Sequence, residues 1–173
     1  RAAGADRAAA EGILSSAAMA DLYGQIYADS DIDGDARSHA RNLREAYVAE
    51  TPSARVSAMK SLWGASAADY GRMVLTAYAA ARIPASGDLE SDAPNLIASM
   101  LTAGLDANAM RWSTIVPEGS EGWALLALAQ PQKSAAVTSG GLDSFVGDDG
   151  SSGQRKSKFL LAGLYGLGRI DAR

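Results

Sequence analysis

Apolar positions recur along this chain at i, i+3, i+4 and i+7, the spacing of one buried helix face. Met19, Leu22, Tyr23, Ile26 and Tyr27 form such a stripe, and the pattern predicts a helix over 7–28, bent near Ser15-Ser16, with Asp6 as its cap. A second helix, over 35–50, buries Ala36, Ala40, Leu43 and Tyr47 and turns Arg37, Arg41 and Arg44 to the other side. Thr51-Pro52 opens a third, since proline at the first helical position loses no needed N–H. Val56, Met59, Leu62 and Trp63 face inward there, and Gly64 ends it. Ser66 and Asp69 have capping-box spacing before a helix running through Met73, Val74, Ala77, Tyr78 and Ala81. Residues 85–92 read as a small polar loop. A helix over 93–103 follows, striped by Leu96, Ile97, Met100 and Leu101, and then a short one through Met110, Trp112 and Ile115.

The organising stretch is Ser120 to Pro131, in which every residue from Trp123 to Ala129 is apolar. A helix that is hydrophobic all round is buried, and this one is too short to span a bilayer. Ser120 is its expected N-cap, and Trp123 is expected almost fully buried. Residues 132–153 read as an irregular connector into a last helix over 154–167, apolar or small on every side from Phe159 to Gly168.

Helix-stopping glycines followed by capping aspartates occur at Gly4-Asp6, Gly104-Asp106, Gly141-Asp143 and Gly168-Asp171, the punctuation of short-linked antiparallel helices. The expectation is therefore an all-α chain. It forms an irregular array of short-linked helical hairpins, α-solenoid-like or a multi-helix bundle, with seven to nine helices around a central buried helix at 120–130. Residues 1–173 are expected to be one domain. The stop-and-start signals near both ends, with the all-apolar last helix, suggest a piece of a longer helical array whose last helix carries a former internal interface.

Composition sharpens this picture. Alanine is roughly a fifth of the 173 residues, well above ordinary usage, and it leads the helix-propensity order. Arginine exceeds lysine twelve to four, which with the alanine and glycine excess suggests a GC-rich bacterial genome. The net charge of −4 does not suit a phosphate backbone or an anionic membrane surface, so no nucleic-acid partner is expected. No apolar run reaches membrane-spanning length. The chain reads as soluble, and of the two compartments the extracytoplasmic one is favoured. With no cysteine and one histidine, thiolate chemistry and multi-histidine metal sites are outside its reach.

Motifs that suggest chemistry fail in detail. Asp29, Asp31, Asp33 and Gly34 resemble the opening of a calcium loop, but its twelfth position, which must supply a bidentate carboxylate, is Ala40. An acidic turn whose last aspartate caps the next helix accounts for these residues. Gly147 to Ser157 lacks phosphate-loop spacing and carries Asp148 and Asp149, so it reads as a connector whose N–H groups near Gly153 and Arg155 could hold a stray anion. His39 reads as a partly buried structural residue. Glu90, Glu118 and Glu121 sit where a sugar-cleaving acid could, without supporting motifs.

No catalytic, metal or cofactor-binding residue is expected, and no cofactor. The stripe Arg37, Arg41 and Arg44 is the candidate interaction face, for an acidic protein partner or for self-association. The function expected is that of a non-enzymatic helical scaffold or protein–protein interaction module. The alternative is an enzyme or small-ligand-binding bundle with a site assembled from dispersed residues. An open groove or exposed apolar face favours the first, and a closed apolar pocket with converging polar groups favours the second.

Overall fold

A computed structural model describes residues 5, 7–8, 11–64, 70–130 and 137–170. Among these the chain is all-helical, with nine α-helices and no strand. The chain divides into two compact units: 1–84 with 102–105, and 85–101 with 106–173.

The first unit holds α1 (Ser16–Ala28), α2 (Asp35–Val48), α3 (Pro52–Trp63) and α4 (Tyr70–Ala81). Local chemistry sets their ends. The Ser15 hydroxyl accepts the Ala18 N–H at the start of α1. Thr51 accepts from Ala54 ahead of Pro52, and Gly64 ends α3 at φ +84°, a left-handed value that suits glycine. Met19, Tyr23 and Ile26 of α1 pack with Ala40 and Leu43 of α2, Leu62 of α3 and Leu75 of α4. Trp63 is buried and donates its indole N–H to Thr76 Oγ1 at 2.8 Å, tying α3 to α4. The capping pair Ser66 and Asp69 lies outside the described residues.

Three expectations in this unit change. The helix expected over 7–28 does not run unbroken, for residues 11–14 form a turn and bend and α1 begins at Ser16 behind its Ser15 cap. α2 takes its N-cap from Gly34, with no side-chain cap, and Asp35 is its first residue. In α4 the buried set is Met73, Leu75, Thr76, Ala77, Ala79 and Ala80, whereas Tyr78 is exposed. Small residues let α4 pack closely, so the bulky tyrosine is left at the edge.

The second unit begins with a 3-10 helix over Gly87–Asp92, where a loop was expected. It continues with α5 (Ala93–Thr102), α6 (Asp106–Met110), α7 (Glu121–Ala129), α8 (Ser139–Asp148) and α9 (Arg155–Gly166). Ser120 caps α7 as expected, accepting from the Trp123 N–H at 3.2 Å. Yet α7 is not sealed on all sides, for Trp123, Leu125 and Leu128 are only half-buried. The deepest burial falls on α5, where Ala93, Leu96, Ile97, Ser99 and Met100 are all fully covered, and on Trp112.

The expected connector 132–153 contains α8. Thr138 accepts from the Gly141 N–H, and Gly141 is a close-approach position inside the helix, because a Cβ there would meet Trp123 at 2.9 Å and Glu118 at 2.8 Å. Gly141 therefore ends no helix. Gly104 does sit at φ +68° just before α6 opens at Asp106. Gly168, at φ +62°, closes α9. Gly4, Asp6 and Asp171 lie outside the described residues.

α9 packs Leu160 and Leu164 against Ala124 and Ala127 of α7 and Phe145 of α8. At Gly163 a Cβ would strike Leu128 at 2.7 Å, so glycine is what lets α9 approach α7. Beyond the helix, Arg169 donates to the carbonyls of Ala127 and Gln130. It satisfies acceptors left free at the end of α7 and places a cation where the helix dipole favours one. No described helix is long and apolar enough to cross a membrane.

Candidate interaction groove

The first unit carries an open cavity of about 880 Å³ between α1, α2 and α4. Its origin is the absence of bulk on one strip of α1. Ser16, Ala20 and Gly24 stand four residues apart and so share a face, with Ala17 beside them. All four are exposed, next to the buried stripe of Met19, Tyr23 and Ile26. A Cβ on Gly24 would meet nothing within 4 Å. Leu43, Tyr47, Val74 and Leu75 form the other walls, and Tyr27 and Tyr78 stand at the rim, 40% and 62% exposed.

Polar groups in this cavity are few. The Tyr47 hydroxyl donates to the Leu75 carbonyl at 2.6 Å. Burial pushes that hydroxyl above the ordinary tyrosine value, so it remains a donor. Arg44 is the formal charge in the lining. Its guanidinium lies 5.4 Å from the Tyr27 ring centre, within cation–π range, and contacts Glu45 at 3.3 Å with about half of each side chain exposed. A pair so exposed holds its charge only weakly.

The three arginines of the expected face have different surroundings. Arg37 donates to the carbonyls of Asp29 and Ile32, closing the turn after α1. Arg41 has no partner among the described residues. Arg37 and Arg41 line a separate polar recess with Asp33, Ser38 and Tyr27, so Tyr27 borders both depressions. The apolar trough and a recess of mixed charge thus meet at Tyr27. The sequence signal for the trough was the small-residue run at 16, 20 and 24, which an analysis built on large apolar residues passes over.

His39 is half-buried. Glu90, Glu118 and Glu121 are all exposed. Glu118 accepts from the Thr138 hydroxyl, and Glu121 pairs with Lys156 at 2.9 Å. In the acidic turn, the Asp29 carboxylate accepts the Asp31 N–H. Among the described residues no group of three or more His, Cys, Asp or Glu is disposed to hold a metal ion.

The glycine-rich loop before α9 is occupied by the chain's own anion. The Asp149 carboxylate accepts from the N–H and hydroxyl of both Ser151 and Ser157. Those four donors hold it far below the usual carboxylate range. Ser151 Oγ in turn accepts the Lys156 N–H. Of the N–H groups in this loop, those of Ser151 and Ser157 go to the internal anion and that of Gln154 to the Ser151 carbonyl. Compared with protein-family models, curated proteins and solved structures, the chain matches none.

Proposed function

We propose that this chain is a non-enzymatic interaction module whose first unit seats an amphipathic helix of a protein partner. The observation that carries the reading is the open groove over the Ser16–Gly24 strip. It is apolar, lies beside two rim tyrosines and ends at Arg44, with Arg41 in the neighbouring recess. The strip covers about 12 Å along α1, two turns of a helix laid against it. Helix-in-groove recognition uses such a trough, filled by side chains at i, i+3, i+4 and i+7. Carboxylates on the partner then meet Arg44 and the unpaired Arg41, setting direction and encounter rate more than affinity. The cavity's volume also lies within the range of small-ligand sites, which favours a compact apolar ligand as the second reading.

Gly24→Leu tests this proposal. The position is exposed with open space around it, so leucine fills the groove while raising helix propensity by about 0.8 kcal/mol. The probe is a labelled 15-residue peptide with Leu and Phe on one face and two Glu at one end. Saturable binding at α1, read as slowed amide exchange along Ser16–Ala28, is expected, with Gly24→Leu weakening it by about tenfold or more while the melting temperature holds or rises. A peptide that protects α1 equally in both proteins, or in neither, refutes the proposal.

A further inference from the structure

We propose that the outward face of α9, in the second unit, is a separate docking surface, and that its occupant is an acidic amphipathic helix of a partner protein. While Leu160 and Leu164 are buried, Phe159 is 74% exposed and Tyr165 59% exposed. Helical geometry places these two rings on either side of Ala162 and Gly166, leaving a shallow trough between two aromatic ridges. Gly163 is explained by its approach to Leu128, but a Cβ on Gly166 would meet nothing within 4 Å. Among the described residues no contact calls for glycine there. A trough of this kind receives the ridge of another helix.

Charge identifies the occupant. Arg155 and Lys158 lie at the start of the same face, where the helix dipole disfavours cations. Lys156 is paired with Glu121, but neither Arg155 nor Lys158 has a partner among the described residues. A second copy docked α9 against α9 would bring these cations to a face that carries no carboxylate. An acidic helix supplies the missing charge and the apolar ridge together.

The experiment uses the full chain in the Gly24→Leu background, which closes the groove of the first unit, so that failure here is separable from failure there. The probe is a labelled 18-residue peptide with Leu at i, i+4 and i+7 flanked by Glu. Binding is expected to weaken with salt and to fall about tenfold or more in both Ala162→Leu and Lys158→Glu, with circular dichroism unchanged. Ala162→Leu adds apolar surface, so a loss there reports the trough rather than mere hydrophobicity. Absence of saturable binding, equal binding of a scrambled peptide, or indifference to both substitutions overturns the proposal. So does preferential binding of phosphatidylglycerol-containing vesicles, or concentration-dependent self-association in sedimentation abolished by Ala162→Leu.

Discussion

Replacing Trp63 and Trp112 by phenylalanine should have unequal costs, although both side chains are buried, 3% and 0% exposed. Each change removes similar volume, which at a core site costs about 1–2 kcal/mol. The polar accounts differ. Trp63 donates to Thr76 Oγ1 at 2.8 Å, a bond worth about 1 kcal/mol net. The Thr76 hydroxyl itself reaches the Arg72 and Met73 carbonyls at 3.1 Å. Trp112 Nε1 is buried with no hydrogen-bond partner among the described residues, and removing an unsatisfied buried donor returns about 1–3 kcal/mol. Trp63→Phe should therefore destabilise by about 2–3 kcal/mol, and Trp112→Phe by less than about 1 kcal/mol. Urea denaturation followed by far-ultraviolet circular dichroism measures both, with each transition fitted separately if the two units unfold apart. A cycle with Thr76→Val should return a coupling near 1 kcal/mol with Trp63 and none with Trp112. A Trp112→Phe cost equal to or above that of Trp63→Phe refutes the reasoning.

Three further outcomes follow from the local chemistry. Asp149→Ala should fray the start of α9, seen as faster amide exchange at Lys156 and Ser157. Because the Asp149 carboxyl is depressed in the folded protein, its contribution is complete above the unfolded carboxylate value near 4 and is lost as pH falls below it. The acid-side loss of α9 stability should be smaller in Asp149→Asn. Arg37→Gln should lower the melting temperature through loss of its two carbonyl contacts, whereas Arg41→Gln should leave it within error; equal effects would mean that Arg37 closes no turn. Gly104→Ala, at φ +68°, should cost about 1 kcal/mol or more, since alanine is strained there; a neutral result would show that the backbone relaxes.

How legible all this is in the sequence varies by helix. α3 reads nearly completely: a capping threonine, a proline at the first position and four large inward residues leave one solution. α4 reads only in part, because alanine fits either a tight interface or a solvent face, and Tyr78 turned out to be the outlier of its stripe. α7 shows that an unbroken apolar run does not by itself specify burial on every side. Trp123 and Leu128 are half-buried while α5, with a more ordinary stripe, is covered most deeply. α8 was hidden by glycines that read as loop, although Gly141 is there to admit Trp123. The groove escaped for a related reason. A sequence records side chains that are present, and this site is made by the ones that are missing from Ser16 to Gly24.

The central claim, that the first unit seats a partner helix, is tested most directly by backbone hydrogen exchange on the full chain with and without the 15-residue acidic amphipathic peptide. Slowed exchange is predicted along Ser16–Ala28, around Arg44 and Tyr47 in α2, and around Val74–Tyr78 in α4, and it should vanish in Gly24→Leu. Saturating peptide with no change in α1, α2 and α4 would contradict the account.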